Sequence, residues 1–431
     1  MIPTYSVGYK SFTAPHLFFN PTEEETMEAT GKKPTGDRET GENHFPWELG
    51  VFDAHCHPTD NMASIADIPL MKTMTLTIMA TRGEDQDLVC QAASRLGGTD
   101  DHIGRVIPSF GWHPWFSHQI LDPNNDPQDA NLISNDAKLA HYKNVLTPSP
   151  EDEKFVQSLP DPKPLSVLIE ETRTRLVAHP VALVGEIGLD KAFRLPGAWL
   201  PDEIGTRNAS LTPGSREGRR LSPYRVRLDH QKAVLKAQLR LAGKLHRAVS
   251  IHSVQAHGTV LELLQELWVG HEREVPSHRE RRRRRSTAEA YVVSDIDEKY
   301  QDEPARLAPP VLRSFPESRP ALPFPPRICM HSYSGSAEPL RQFLRPSVPS
   351  DVYFSFSSVI NFSNASSEKV IEVIKVLPDD RLMVESDFHC AGPQMDDQLE
   401  EVTRRMCLLR GWTLEEGVRQ LAENWKRFVF G

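Results

Sequence analysis

His55 and His57 stand two residues apart at the end of a short apolar run, LGVFDAHCH (49–57). In a β-strand, positions i and i+2 share a face, so both imidazoles point into one space while Cys56 turns away. Two neutral imidazoles placed in this way can reach one cation. On its own a His-x-His pair fits two unrelated histidines equally well. Its meaning comes from what recurs later: Glu186, His252, His331 and Asp387 each sit at or just after the end of another apolar run. Carboxylates and imidazoles gathered without an ion would bear desolvation penalties. A divalent cation offsets them and lets one carboxylate bridge two ions. The chemistry such a site supports is hydrolysis by a metal-activated water.

These residues need a scaffold that brings distant strand ends together. Apolar runs recur at 49–57, 73–80, 105–114, 181–190, 248–253, 327–332, 352–357 and 381–386. Helical patterns lie between several of them. Leu228, Leu235, Leu239 and Ala242 keep one face of a helix, as do Val370, Ile371, Ile374 and Leu377 before Pro378 stops it. Strand and helix alternating in this way predict either a closed barrel or a long doubly wound sheet. The ligand-type residues separate the two, because only in a closed barrel do all the C-terminal strand ends converge on one mouth. The expected fold class is α/β, a (β/α)8 TIM barrel of the metal-dependent hydrolase type with long loop insertions.

Such a barrel takes about 250 residues and commonly exceeds 400 with insertions, so the 431 residues here do not require a second domain. Residues 1–47 include TGKKPTGDRETGEN, too polar to offset the entropy of ordering, and are expected to be a disordered tail. The barrel domain is then 48–431, interrupted at about 122–164, 194–222 and 270–325. The third interruption contains the run Arg281–Arg285 within Pro-rich polar sequence. Such a run serves either nuclear import or nucleic-acid binding, or is a solvated linker. The formal charge of −9 gives the whole protein no attraction for a phosphate backbone, so nucleic-acid binding would need a local positive field or bound cations. Five cysteines without a CxxC pair argue against a disulfide framework or a structural zinc site and favour a reducing compartment. No apolar run has the length of a membrane span, and MIPTYSVGYKSF does not read as a signal peptide. The expectation is a soluble protein of the cytoplasm, the nucleus or both, without a membrane partner.

Seven ordered segments resemble the TatD-related metal-dependent deoxyribonucleases: DAHCH (53–57), GWHP (111–114), GEIGLD (185–190), SIHS (250–253), HSYSG (331–335), ESD (385–387) and the C-terminal ENWKRFVFG. The resemblance covers about 50–431 outside the interruptions, and GLDKAFRLP together with the stretch around His252 looks like the fungal branch. Some members of that branch are described as interactors of a tetratricopeptide subunit of the anaphase-promoting complex. The resemblance implies His55, His57 and Asp387 on one metal, His252 and His331 on a second, and Glu186 bridging. Where related barrel hydrolases carry a carbamylated lysine at the end of the fourth strand, this chain has Glu186. Two positions depart from the family: Val254 stands where an arginine usually follows His-x, and His389 where a proline usually follows ESD-x.

The function expected is that of a divalent-metal-dependent hydrolase, a 3′–5′ exonuclease-like deoxyribonuclease acting on DNA or another phosphodiester. Its cofactors would be two divalent ions. The resemblance implies Mg2+, whereas four imidazoles suit Zn2+ or Mn2+ better. Asp387 and Glu186 are the catalytic candidates, with Asp387 accepting a proton. Asp190 would either support a ligating histidine or cap a helix. His113 contacts substrate or packs structurally against Trp112 and Trp115. Ser334 and Gly335, in the turn after His331, would offer backbone N–H groups to a phosphate. Two rival readings are an ester or amide hydrolase, such as an aminoacyl-tRNA deacylase, and a docking partner of a tetratricopeptide-repeat protein.

Overall fold

Each of the eight apolar runs contains one strand. In the computed structural model these are β1 Phe52–Cys56, β2 Thr75–Met79, β3 Val106–Ser109, β4 Val184–Asp190, β5 Val249–Val254, β6 Arg327–Met330, β7 Asp351–Phe356 and β8 Leu382–Val384. The structure describes residues 44–99, 102–121, 134–200, 204–275, 320–363 and 367–431. Neighbouring strands pair in parallel as β1-β2-β3 and as β4-β5-β6-β7-β8. Two seams join these arcs. Between β3 and β4, Ser109 bridges Leu183 in parallel and Phe110 N donates to Leu183 O at 3.0 Å. Between β8 and β1, Asp387 N donates to His55 O at 3.0 Å and His57 N to Phe388 O at 2.8 Å. The sheet therefore closes into a (β/α)8 barrel, and all strand C-termini open on one side.

Helices cover the outside: α1 Gly83–Leu96, α2 Leu165–Ala178, α3 Leu228–Lys244, α4 His257–Trp268, α5 Ala337–Phe343, α6 Ser367–Val376, α7 Pro393–Arg410 and α8 Leu414–Phe430. A 3-10 segment, Met62–Leu70, follows β1 instead of an α-helix. The period of α3 explains its packing: Leu235, Leu239 and Ala242 are buried against outward-facing strand residues such as Ile251 and Ile328. On α6 the buried residues are Val370, Val373 and Ile374. The last helix, begun by a reciprocal Thr413–Glu416 cap, packs against the strand starts. There Trp425 stacks on Phe52 at 4.3 Å and donates its indole N–H to Thr77 Oγ1 at 3.0 Å.

The interruptions differ from plain loops. Helices Asn135–Val145 and Glu153–Ser158 share a small core of Tyr142, Val145, Leu146, Phe155 and Val156 with Leu195 and Val226 from the loop between β4 and α3. A two-residue antiparallel ribbon, Leu146–Thr147 against Arg225–Val226, ties the two segments. The first of these helices shows little polar–apolar periodicity in sequence because Lys138 and His141 share its buried face with Tyr142 and Val145. Most of the third interruption, including Arg281–Arg285, and the expected tail up to residue 43 lie outside the described residues. Among the described residues no helix is long and apolar enough to cross a membrane.

Candidate metal centre

The pocket at the barrel mouth is built by five strand ends and the turns behind them. β1 delivers His55 and, one residue past its end, His57, after a register irregularity between Asp53 and Cys56. Buried Asp53 holds that irregularity against the β8 seam, accepting the N–H groups of His55 and Ser386, each at 3.0 Å, and the Ser386 hydroxyl at 2.5 Å. β4 delivers Glu186, whose neighbour Gly188 lies at a positive φ of 158° with its Cα against the His252 carbonyl, so a side chain there would displace β5. β5 delivers His252, and the turns after β6 and β8 deliver His331 and Asp387. Asp387 and Ser332 both take left-handed φ values, 53° and 40°, a conformation that costs energy for residues other than glycine and is concentrated at functional sites.

All six ligand-type residues meet, with Glu186 at the centre. Its Oε2 lies 3.4 Å from His57 Nε2 and 3.5 Å from His55 Nε2. Its Oε1 lies 2.8 Å from His331 Nε2 and 2.9 Å from His252 Nδ1. Asp387 Oδ1 is 3.5 Å from His57 Nε2 and 3.9 Å from His55 Nε2. The donors thus divide into two sets that share one carboxylate. Within each set two imidazole nitrogens approach closely, His55 Nε2 to His57 Nε2 at 3.1 Å and His252 Nδ1 to His331 Nε2 at 3.3 Å. Lone pairs held this near repel unless a proton or a cation lies with them. A borderline divalent ion suits this nitrogen and oxygen set.

Burial and charge act in opposite directions on these groups. Burial raises the Glu186 pKa, but His113, His331 and His55 outweigh it and hold the carboxyl well below its usual range. For Asp387, burial again raises and the His57 hydrogen bond with the surrounding imidazoles lowers, leaving the group below its usual range. Burial lowers His57, yet Asp387 and Glu186 lift it to about 9. Without an ion the pocket therefore holds anionic carboxylates compensated by protonated imidazole, the arrangement a cation would replace.

Outer contacts surround the ring nitrogens on the far side from the pocket. Asp190 Oδ2 is 3.2 Å from His252 Nε2, which favours the proton there and would leave Nδ1, 2.9 Å from Glu186 Oε1, to give its electron pair to an ion. Ser250 Oγ meets His55 Nδ1 at 2.8 Å. Glu385 Oε1 is 3.6 Å from His331 Nδ1, and the same carboxylate accepts Ser332 N–H at 2.7 Å. His113 lies 3.2 Å from Glu186 Oε1 through Nε2, and by distance three groups could each hold an ion: His55, His57 and Glu186; His55, His331 and Asp387; and His113, Glu186 and His252. The Trp115 N–H donates to His113 Nδ1 at 3.2 Å, so the neutral ring carries its proton on Nε2 and donates to Glu186. Burial pushes its pKa down to about 4, which keeps the ring neutral. His113 is a hydrogen-bond donor to the shared carboxylate as well as an aromatic neighbour of Trp115.

Ser334 is exposed, and Gly335 is buried beneath the Tyr333 ring. His389, exposed at the rim, stacks on His57 at 5.4 Å between ring centroids and reaches Asp60 Oδ2 through Nδ1 at 2.8 Å. Sequence reasoning passed over Glu385, Ser250 and Asp53. The rule that paired His55 with His57 also pairs Glu385 with Asp387, so that signal was present; Ser250 and Asp53 look like ordinary strand residues until the register is known.

A family model described as TatD related DNase matches residues 52–430. The chain is 37% identical to the Cut9-interacting protein scn1 of Schizosaccharomyces pombe, over 88% of this chain and 98% of that one. It is 25% identical to the uncharacterized deoxyribonuclease YMR262W of Saccharomyces cerevisiae, over 88% and 99%. Among solved structures, the TatD homolog YJJV of Escherichia coli aligns over 88% of this chain and 97% of that one at 17% identity and a TM-score of 0.46. An uncharacterized amidohydrolase of Saccharomyces cerevisiae aligns over 88% and 99% at 13% identity and a TM-score of 0.45. With the family model spanning nearly the whole barrel and a relative above 30% identity along almost its full length, this chain belongs to the TatD-related DNase family.

Proposed function

We propose that this chain is a divalent-metal-dependent phosphodiesterase acting on DNA in a 3′–5′ exonuclease-like mode, with two ions sharing Glu186. The observation that carries the reading is the division of the Glu186 oxygens, Oε2 toward His55 and His57 and Oε1 toward His252 and His331. His55, His57 and Asp387 would hold one ion and His252 and His331 the other, with Zn2+ or Mn2+ favoured by four imidazoles over Mg2+. Bound ions would supply Lewis acidity toward a phosphoryl oxygen and an acidified water.

The protein's own groups then have separable tasks. Asp387, kept anionic by the surrounding imidazoles, accepts a proton at its carboxylate. His113 donates to Glu186 Oε1 and so fixes the orientation of the shared carboxylate. Asp190 holds His252 through Nε2, and Glu385 sets a negative charge 3.6 Å from His331 Nδ1. Ser334 and Gly335 are proposed to border the phosphate.

The relative named as Cut9-interacting supports a second, compatible role, docking to a tetratricopeptide-repeat protein. The test of the first reading is hydrolysis by the full chain of a 3′-labelled oligonucleotide beside an aminoacyl ester, with and without each divalent ion. Stepwise shortening from the 3′ end is expected. Ester cleavage without shortening would favour the deacylase reading, and neither reaction would leave the docking role.

A further inference from the structure

The loop that leaves β4 at Lys191 and reaches Arg227 before α3 carries eight Lys and Arg against three Asp and Glu, in a chain whose formal charge is −9. It is fastened to the mouth at two places. At its start, Asp190 accepts the N–H groups of Ala192 and Phe193 at 2.7 and 2.9 Å, and Phe193 stacks on Trp115 at 4.4 Å. Farther along, Thr212 donates to Asp60 O at 2.9 Å and to Thr59 O at 2.5 Å, beyond the end of β1. The buried Arg82 guanidinium clamps that contact, reaching Pro213 O and the Asp60 carboxylate, each at 2.8 Å. Antiparallel pairing closes the base of the excursion, Gly197 N to Arg220 O at 2.7 Å and Ser222 N to Leu195 O at 2.8 Å. The described parts of the loop, 191–200 and 204–227, thus form a fixed wall along the rim, from the β4 ligand to the segment behind His57.

The charges on this wall are largely uncompensated. Arg207 pairs with Glu217, but among the described residues Arg194 and Arg220 pair with no carboxylate. Arg220 is exposed, and Arg194 directly follows the stacked Phe193. The β5 residues that follow His252, Ser253 and Val254, carry no positive charge. An excess of positive charge on a segment anchored beside a metal pocket suits a polyanion's phosphates better than a single small anion.

We propose that this wall is the strand-binding surface of the protein, its arginines holding backbone phosphates of a nucleic-acid strand whose scissile phosphodiester lies in the pocket. The proposal rests on the phosphodiesterase reading above. Binding then carries a counterion-release term of about 0.7 in the salt slope for each phosphate neutralised on a single strand.

The test is binding of a fluorescein-labelled single-stranded oligonucleotide to the full chain in chelator, followed by anisotropy over a range of salt. R194Q/R220Q should bind more weakly, with a slope of log affinity against log salt shallower by about 1.4. R194K/R220K, which keeps the charge, and R173Q, on the exposed face of α2, should keep the wild-type slope. A wild-type slope in R194Q/R220Q would overturn the proposal, as would polyglutamate binding as tightly as the oligonucleotide, which would point to an acidic protein partner. A wild type that hydrolyses bis(p-nitrophenyl) phosphate but does not bind the oligonucleotide overturns the wall and leaves the phosphodiesterase reading. One that binds with the expected change of slope yet hydrolyses no diester under any ion keeps the wall and removes the nuclease reading.

Discussion

Asp190 Oδ2 lies 3.2 Å from His252 Nε2, on the side of the ring opposite the 2.9 Å approach of Nδ1 to Glu186. The carboxylate therefore decides which nitrogen keeps the proton and which faces the pocket. Asp190→Asn should preserve the fold, since an amide oxygen can still accept from Ala192 and Phe193. It should weaken metal binding by about 10–100-fold, the usual effect of losing such a partner. Titration of the metal-free protein, with circular dichroism as the folding control, measures this. Unchanged affinity would make Asp190 only a loop cap.

Metal loading should depend on pH through His57. In the metal-free pocket burial lowers its pKa, but the Asp387 hydrogen bond and the Glu186 charge lift it to about 9. An ion must expel that proton, so affinity rises with pH up to about 9 and then levels. The metal-free protein follows the opposite sign: the stability from this raised pKa is complete below about 6.5 and lost as pH climbs through about 9. Calorimetry of metal binding near neutral pH in two buffers of different ionisation enthalpy should show net proton release, to which His252 and His331, lowered by burial but also raised by the carboxylates, contribute beside His57. Release of none would contradict the assignment of His57.

Trp425 should matter to stability and not to chemistry. Its ring is buried at the strand starts against Phe52, at the end of the barrel away from the pocket. Trp425→Ala should lower unfolding free energy by about 3–5 kcal/mol, the range for a buried aromatic truncation. Chemical denaturation reads the loss, and metal content per folded protein should be unchanged.

Asp387→Asn separates ligation from proton transfer. One oxygen remains for an ion, but the amide accepts no proton, so metal should stay partly bound while phosphodiester hydrolysis falls by about 100-fold or more. A wild-type rate at saturating metal would remove Asp387 from the proton path.

The barrel was legible because parallel strands are buried on both faces and leave apolar runs, and because five of those runs carry metal-ligand types at or just after their ends. What was not legible depends on register and distance in the chain. Glu385 follows the same alternation as Asp387 but was hidden beside it. The contact of Asp53 with Ser386 joins the first strand to the last, which no local pattern reveals. The helices over 135–158 pack on Leu195 and Val226 far along the chain, so their sequence reads as a loop until those partners are known. For His113 the sequence left substrate contact and packing beside two tryptophans open; its ring lies against Trp115 and its Nε2 meets Glu186, a contact that depends on where the distant β4 ends.

The shared carboxylate is the centre of this account, and metal content measured beside oligonucleotide hydrolysis in wild type and Glu186→Ala tests it most directly. Removing a carboxylate that offsets the mutual repulsion of two cations should loosen both. Wild type should hold two divalent ions per chain, and Glu186→Ala should lose both together with hydrolysis. A Glu186→Ala protein that still holds two ions and cleaves at the wild-type rate would contradict the account.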